Sequence, residues 1–414
     1  MLKKLRTKEN YIDLILLGLL AIILGIVVGA LDTLFGKVLI EIGDYRDNHI
    51  FFLLPFLPLA GVLIVFTYSK IGKNSVRGMS LLFAVSNGEE KVIPKRLVPL
   101  IMVSTWITHL FGGSAGREGV AVQIGGTVGH TLGHSLGKSK VFSIDDQEIR
   151  KILLITGMGA GFAGLFQTPI AATFFALEVL MVGSLMYHAL LPCMLASFTA
   201  SFTSHILGLD KFSVDLNINV DINPLMIGKL IIIGILFGIV GGGFAYLLSW
   251  LKEFLSKYLK KPIWKVFFTG CVLSILLLML QHGRYSGLGT NLIHAAFYKE
   301  AIYTYDWILK LILTIITLSA GFQGGEVTPL FSIGASFGLV VASLFGLPVQ
   351  LAAALGYAAV FGSATNTLLG PIFIGAEVFG YQYLPYFVVC VGIAYVFNGN
   401  KSIYSSQKIG KWPL

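Results

Sequence analysis

Between Val98 and Gly137 only two side chains carry a formal charge, Arg117 and Glu118, and they stand in the run GSAGREGVAVQIGG with glycines at 112, 113, 116 and 119. Ionisable groups inside an apolar stretch are costly and mark pathways or pairs. Adjacent residues on one helix do not face each other, so an intrahelical pair of Arg117 with Glu118 is not expected. The glycines leave the backbone amides accessible, and a helix starting near Glu118 would present free N–H groups and a positive dipole end to an anion. A carboxylate there competes with the anion for the same donors, and protonation releases it. A second lone acid, Glu326, lies in GFQGGEVTP (Gly321 to Pro329), the only formal charge between Lys310 and Glu377, with Thr328 offering a hydroxyl donor two residues on. Tyr395, late in the last apolar span, is an interfacial anchor or a phenol facing an anion. Glu178 and Glu377 sit near helix ends, where a structural role is expected. His130 and His134 share a helix face without an accompanying carboxylate, and Cys193, Cys271 and Cys390 lack CxxC spacing, so neither a metal nor a cofactor is implied.

The elements that must position these residues are membrane helices. The chain has 414 residues, 55% hydrophobic and 12% charged, with a mean hydropathy of +0.81; that charge content is about half that of a soluble domain. Spans are expected at Tyr11–Leu31, Phe51–Ser69, Tyr187–Leu207, Pro224–Trp250 and Trp264–Leu280, each near the ~20 residues that cross a bilayer as a helix. Segments 98–180 and 308–397 are shorter and interrupted by Gly, Ser, Thr and Pro. Broken backbone at membrane depth is tolerated only around a protein-lined or water-lined site.

The net charge of +9 does not point to nucleic acid, because the basic residues flank apolar spans. Lys3, Lys4, Arg6 and Lys8 before the first span, Lys252 to Lys265, and the end with Lys401, Lys408 and Lys411 are expected inside, and the acidic loop with Asp210, Asp215 and Asp221 outside. Both termini are then cytoplasmic, in the cell membrane.

The two broken regions read as copies. At an offset of 209, Gly112 matches Gly321 and QIGGTVG (Gln123–Gly129) lies over SIGASFG (Ser332–Gly338); at an offset of 199, Thr168, Phe174 and Glu178 match Thr367, Phe373 and Glu377. The polar loop Lys138–Arg150, present only in the first copy, accounts for the change of offset. A duplicated array of broken helices is the inverted-repeat design of transporters. The expected division is a first repeat over 1–208, an extracellular linker over 209–223, a second repeat over 224–400 and a short cytoplasmic tail over 401–414.

With these motifs the chain resembles the CLC anion channels and transporters over most of its length. GSAGREGVAVQIG is similar to that family's GREGP-type motif, GFQGGEVTP to its GGIFAP-type motif, and Tyr395 to its late central tyrosine. The resemblance implies an all-α polytopic fold with inverted repeats of tilted and broken helices, and a homodimer with one anion pathway per subunit. It also implies Glu118 as gating and proton-coupling glutamate and Tyr395 as an anion ligand. Met79 stands where the family carries a chloride-binding serine, Val120 replaces the proline of GREGP, and Glu326, Val327 and Thr328 replace Ile-Phe-Ala. This combination resembles the fluoride-exporting branch and implies fluoride/proton antiport, with chloride transport by the same fold as the alternative. Gly116, Arg117, Gly119, Val120, Met79, Val327, Thr328 and Tyr395 are then the expected anion-site residues, with Glu118 and Glu326 as the proton-carrying acids. Val179 occupies the position of the internal proton-relay glutamate of chloride/proton antiporters, which makes Glu326 the compensating acid. An intramembrane enzyme using Glu118 and Glu326 as an acid/base pair is disfavoured, since no metal-ligand cluster or Ser/His/Asp set accompanies them. The end at Leu414 implies no regulatory domain and no nucleotide control.

Overall fold

The computed structural model describes residues 8–136, 142, 145–218, 221, 223–298 and 300–410. The basic residues Lys3, Lys4, Arg6, Lys138 and Lys411 fall outside the described residues. The first half of the chain forms α1 (Lys8–Asn48), α2 (Ile50–Leu53), α3 (Leu57–Thr67), α4 (Met79–Ser86), α5 (Leu97–Leu110), α6 (Glu118–Leu136), α7 (Asp146–Phe166), α8 (Pro169–Glu178) and α9 (Leu190–Ile206). The second half forms α10 (Pro224–Tyr258), α11 (Pro262–Met279), α12 (Thr290–Tyr298), α13 (Asp306–Ala320), α14 (Val327–Phe345), α15 (Val349–Thr365), α16 (Leu369–Phe379) and α17 (Leu384–Val396).

Among the described residues seven helical segments are long and apolar enough to cross a bilayer. Apolar side chains such as Phe52, Leu63, Phe202, Ile239, Phe268 and Ile275 stand exposed on their outer faces, the surface a lipid solvent requires. The fold is all-α and polytopic. Two expected spans differ in detail: α1 runs on to Asn48, and the segment begun at Phe51 is interrupted at Leu54–Phe56, where Pro55 supplies no N–H for a helical bond.

The repeat is visible as paired contacts. Gly116 and Gly325, 209 residues apart, exchange backbone hydrogen bonds across an antiparallel bridge (2.5 and 2.7 Å). Phe174 stacks on Phe373, 199 residues apart, with centroids 4.8 Å from each other. Each pair consists of equivalents touching one another, which places both on a two-fold axis. Gly125 of α6 packs on Gly157 of α7, and their counterparts Gly334 of α14 and Gly356 of α15 pack the same way; a Cβ at any of the four would run into the facing backbone. Small residues of this kind let membrane helices approach at backbone distance.

Glu178 and Glu377 cap each other's repeat. Glu178 accepts from the amides of Leu368 (3.1 Å), Leu369 (3.0 Å) and Gly370 (2.7 Å) at the start of α16. Glu377 accepts from Ile170 (3.2 Å) and Ala171 (2.8 Å) at the start of α8. These are the orphan donors of a helix N-terminus.

Residues 401–410 of the expected tail pack against the helices. Ile403 and Tyr404 are buried, the Ile403 amide donates to the Ala364 carbonyl (2.9 Å), and Lys408–Ile409 pair in parallel with Met181–Val182. Gln407 Nε2 donates to the carbonyls of Val179 (2.8 Å) and Thr365 (3.2 Å). The linker over 209–223 is likewise docked: the Val214 amide donates to Val378 (3.0 Å) and Tyr383 brackets Ile218 with two hydrogen bonds of 2.9 Å.

Candidate functional site

Helix α6 begins at Glu118 and helix α14 at its repeat equivalent, Val327, so two helix N-termini converge where the Gly116–Gly325 bridge joins their leading strands. The Glu118 side chain is fully buried and reaches across to the other repeat. Its Oε2 accepts the Thr328 amide (3.1 Å) and, closer still, the Thr328 hydroxyl. A carboxylate thus occupies the positive end of α14, a position fitted to an anion. Unlike the mutual Glu178 and Glu377 caps this contact is not reciprocated, since the equivalent of Glu118 in the second repeat is the apolar Val327.

Arg117 Nε stands 3.5 Å from Glu118 Oε1. The pair forms, against expectation, because Arg117 precedes the first helical residue and is not bound by helical side-chain geometry. Glu326 is the residue before α14. Its Oε2 lies against Gly119, where a Cβ would stand 3.4 Å from it, so the second acid hangs over the first turn of α6.

A cavity of about 670 Å³ opens beside this junction, lined by Glu326, Met79, Gln123 and Tyr404 within and by Lys73, Arg77, Lys252 and Lys265 further out. Met79 opens α4 after Gly78, whose φ of +51° favours glycine. Gln123 Nε2 donates to the Gly119 carbonyl (3.1 Å), while its Oε1 has no partner among the described residues. A second cavity, of about 450 Å³, is lined by Arg117. Gly116, Gly119, Val120, Val327 and Thr328 are all buried at the junction.

Tyr395 stands apart from both cavities. It is half-buried on α17. Tyr404, with Tyr68, does line the larger cavity: it is 5% exposed, its hydroxyl has no partner among the described residues, and it packs on Phe83 at 5.3 Å. Sequence reasoning missed Tyr404 because KSIYSSQK reads as a polar tail; a tyrosine flanked by Ile403 was the one available signal.

Lys310 was also passed over. Fully buried in α13, its ammonium donates to Ser114 Oγ (2.9 Å) and to the carbonyls of Gly287 (2.7 Å) and Tyr285 (3.1 Å). It thereby fastens the loop that leads into Glu118. Val179 is buried and apolar, so the position beside Glu178 holds no protonatable side chain. His130 and His134 lie with rings 6.1 Å apart, and no group of three or more His, Cys, Asp or Glu side chains gathers among the described residues.

The model of the voltage gated chloride channel family matches residues 60–399. The chain belongs to the CLC family. Among CLC relatives it is 33% identical over 397 residues to the chloride/fluoride channel protein of Pseudomonas syringae pv. tomato, covering 94% of this chain and 86% of that one. It is 26% identical to the H(+)/Cl(-) exchange transporter ClcA of Salmonella paratyphi B, over 94% of this chain and 87% of the other. Among solved CLC structures, a CLC-type fluoride/proton antiporter superposes with a TM-score of 0.93 at 52% identity, covering 97% of this chain and 99% of that one. A slow cyanobacterial Cl-/H+ antiporter shares the fold, with a TM-score of 0.76 at 22% identity.

Proposed function

We propose that this CLC protein is a secondary active transporter that exports fluoride in exchange for protons, with Glu118 as the gate. The carrying observation is the Glu118 carboxylate seated on the α14 N-terminus through both donors of Thr328. An anion entering from the lysine-lined cavity meets a site already held by a carboxylate. Protonating Glu118 removes its charge and weakens its hold on the helix end, and the anion takes the Thr328 donors. Fluoride is small and strongly hydrated, so exchange of its water for one hydroxyl, backbone amides and the Tyr404 phenol supports its passage, and Met79 and Val327 narrow the route.

Glu326, on the cavity wall and against Gly119, is the acid that relays protons to Glu118 in place of a glutamate at Val179. Lys73, Arg77, Lys252 and Lys265 at the cavity mouth support placing it on the cytoplasmic side, by the positive-inside bias. Both termini are then cytoplasmic, the linker over 209–223 is outside, and the protein lies in the cell membrane. Inward proton flow then drives fluoride out. The protein is then a homodimer in which each subunit carries its own pathway.

The test is anion efflux from proteoliposomes with pH recorded. Wild type is expected to exchange fluoride for protons, and Glu118→Gln to lose proton movement. Fluoride efflux unaccompanied by protons in the wild type would reject antiport in favour of a channel, and chloride efflux outpacing fluoride would reject the choice of cargo.

A further inference from the structure

We propose that the arginine-lined cavity on the far side of Glu118 is a second anion-binding site, holding a small inorganic anion on Arg117, His109 and Ser286. The preceding reading supplies the identity of the anion and the side of the membrane; the site itself rests on separate observations.

The cavity has a volume of about 450 Å³ and is walled by α1, α5 and the loop before α12. His109 is 1% exposed and neither ring nitrogen has a partner among the described residues; Ser286 is 4% exposed and its hydroxyl is equally unpartnered. Arg117 Nε makes no hydrogen bond either. Buried polar groups left open in this way call for an occupant. A neutral imidazole supplies one N–H, a hydroxyl one O–H and a guanidinium several, so the open set is rich in donors. Thr290 and Asn291, in the first turn of α12, also face the cavity.

Charge decides what the occupant is. Arg46 is paired with Asp47 (2.7 Å) and Arg284 with Asp306 (2.9 Å), and exposed Asp44 stands at the rim. The remaining acid is Glu118, 3.5 Å from Arg117. Once Glu118 is protonated, Arg117 is left with uncompensated charge facing this cavity, and an anion there restores the balance. Gly287 makes room for the arrangement: its φ is +62°, and a Cβ on it would collide with the Arg46 guanidinium. The site therefore loads when the gate is protonated and empties when Glu118 recovers its charge.

The experiment is fluoride efflux from proteoliposomes titrated with fluoride added outside. The quantity read is the ratio of external half-inhibiting to internal half-saturating concentration, which loss of folded protein does not move. Ser286→Ala and His109→Phe are each expected to raise that ratio about tenfold, the weight of one hydrogen bond to a charged group. Should His109→Phe fail to fold, Ser286→Asp sets a carboxylate in the cavity and is expected to abolish external inhibition. An unchanged ratio in folded Ser286→Ala and Ser286→Asp overturns the site. If the protein carries chloride and not fluoride, the fluoride reading falls while the same titration with chloride still decides this one.

Discussion

Thr328 holds Glu118 through one backbone and one side-chain donor, and Thr328→Val removes the hydroxyl at nearly constant volume. A hydrogen bond to a charged group contributes roughly 1.5–3 kcal/mol, so the variant is expected to leave Glu118 seated for less time and to pass more fluoride per proton. Parallel recording of the two ion fluxes checks this, and an unaltered ratio would remove Thr328 from the gate. The two tyrosines make a second contrast. Tyr404→Phe should weaken fluoride uptake into the site, and Tyr395→Phe should leave it alone; the reverse pattern would restore the original placement on α17. For Glu326→Gln, loss of proton-coupled transport with the fold intact is expected, and retention of coupling would exclude Glu326 as the relay.

Helices α6 and α7 touch through Gly125 and Gly157 at backbone distance, as α14 and α15 do through Gly334 and Gly356. Enlarging a packed contact costs about 1–3 kcal/mol, and here the obstacle is facing backbone, which cannot rotate aside. Gly157→Val is expected to lower the melting temperature in detergent and, because α6 carries Glu118 at its start, to slow transport as well. The mutual caps behave differently. Removing Glu178 strands three amides of α16 and removing Glu377 two of α8, so Glu178→Ala should destabilise more than Glu377→Ala. Equal thermal shifts in the two would show that the caps are not what holds those helix ends.

For the molecule as a whole, the terminal segment closes the first repeat onto the second. Residues 401–410 join α8 through Gln407 and Val179, α15 through Ile403 and Ala364, and the Glu89 loop through Lys408 at 3.1 Å. Ending the chain after Asn400 should still give an inserted helical protein, but one that transports more weakly than Tyr404→Phe because the cavity wall is lost along with the phenol. Activity of the shortened chain equal to that of Tyr404→Phe would confine the segment's role to its tyrosine.

Membrane character, the long spans, the duplication and the special standing of Glu118, Glu326 and Thr328 were legible in the sequence. Each leaves a local trace there: a run of apolar residues, a repeated block, or a lone charge where charge is costly. Tertiary structure alone decided that Glu118 reaches the other repeat and not its own helix, that Arg117 lies within reach of it, that Glu178 and Glu377 cap the helix ends of one another's repeat, and that Tyr404 and not Tyr395 lines the larger cavity. These contacts join residues about 200 positions apart or fold a polar segment back onto an apolar core. Nothing in local composition records where a two-fold axis brings two helix ends together, and that meeting point is the site.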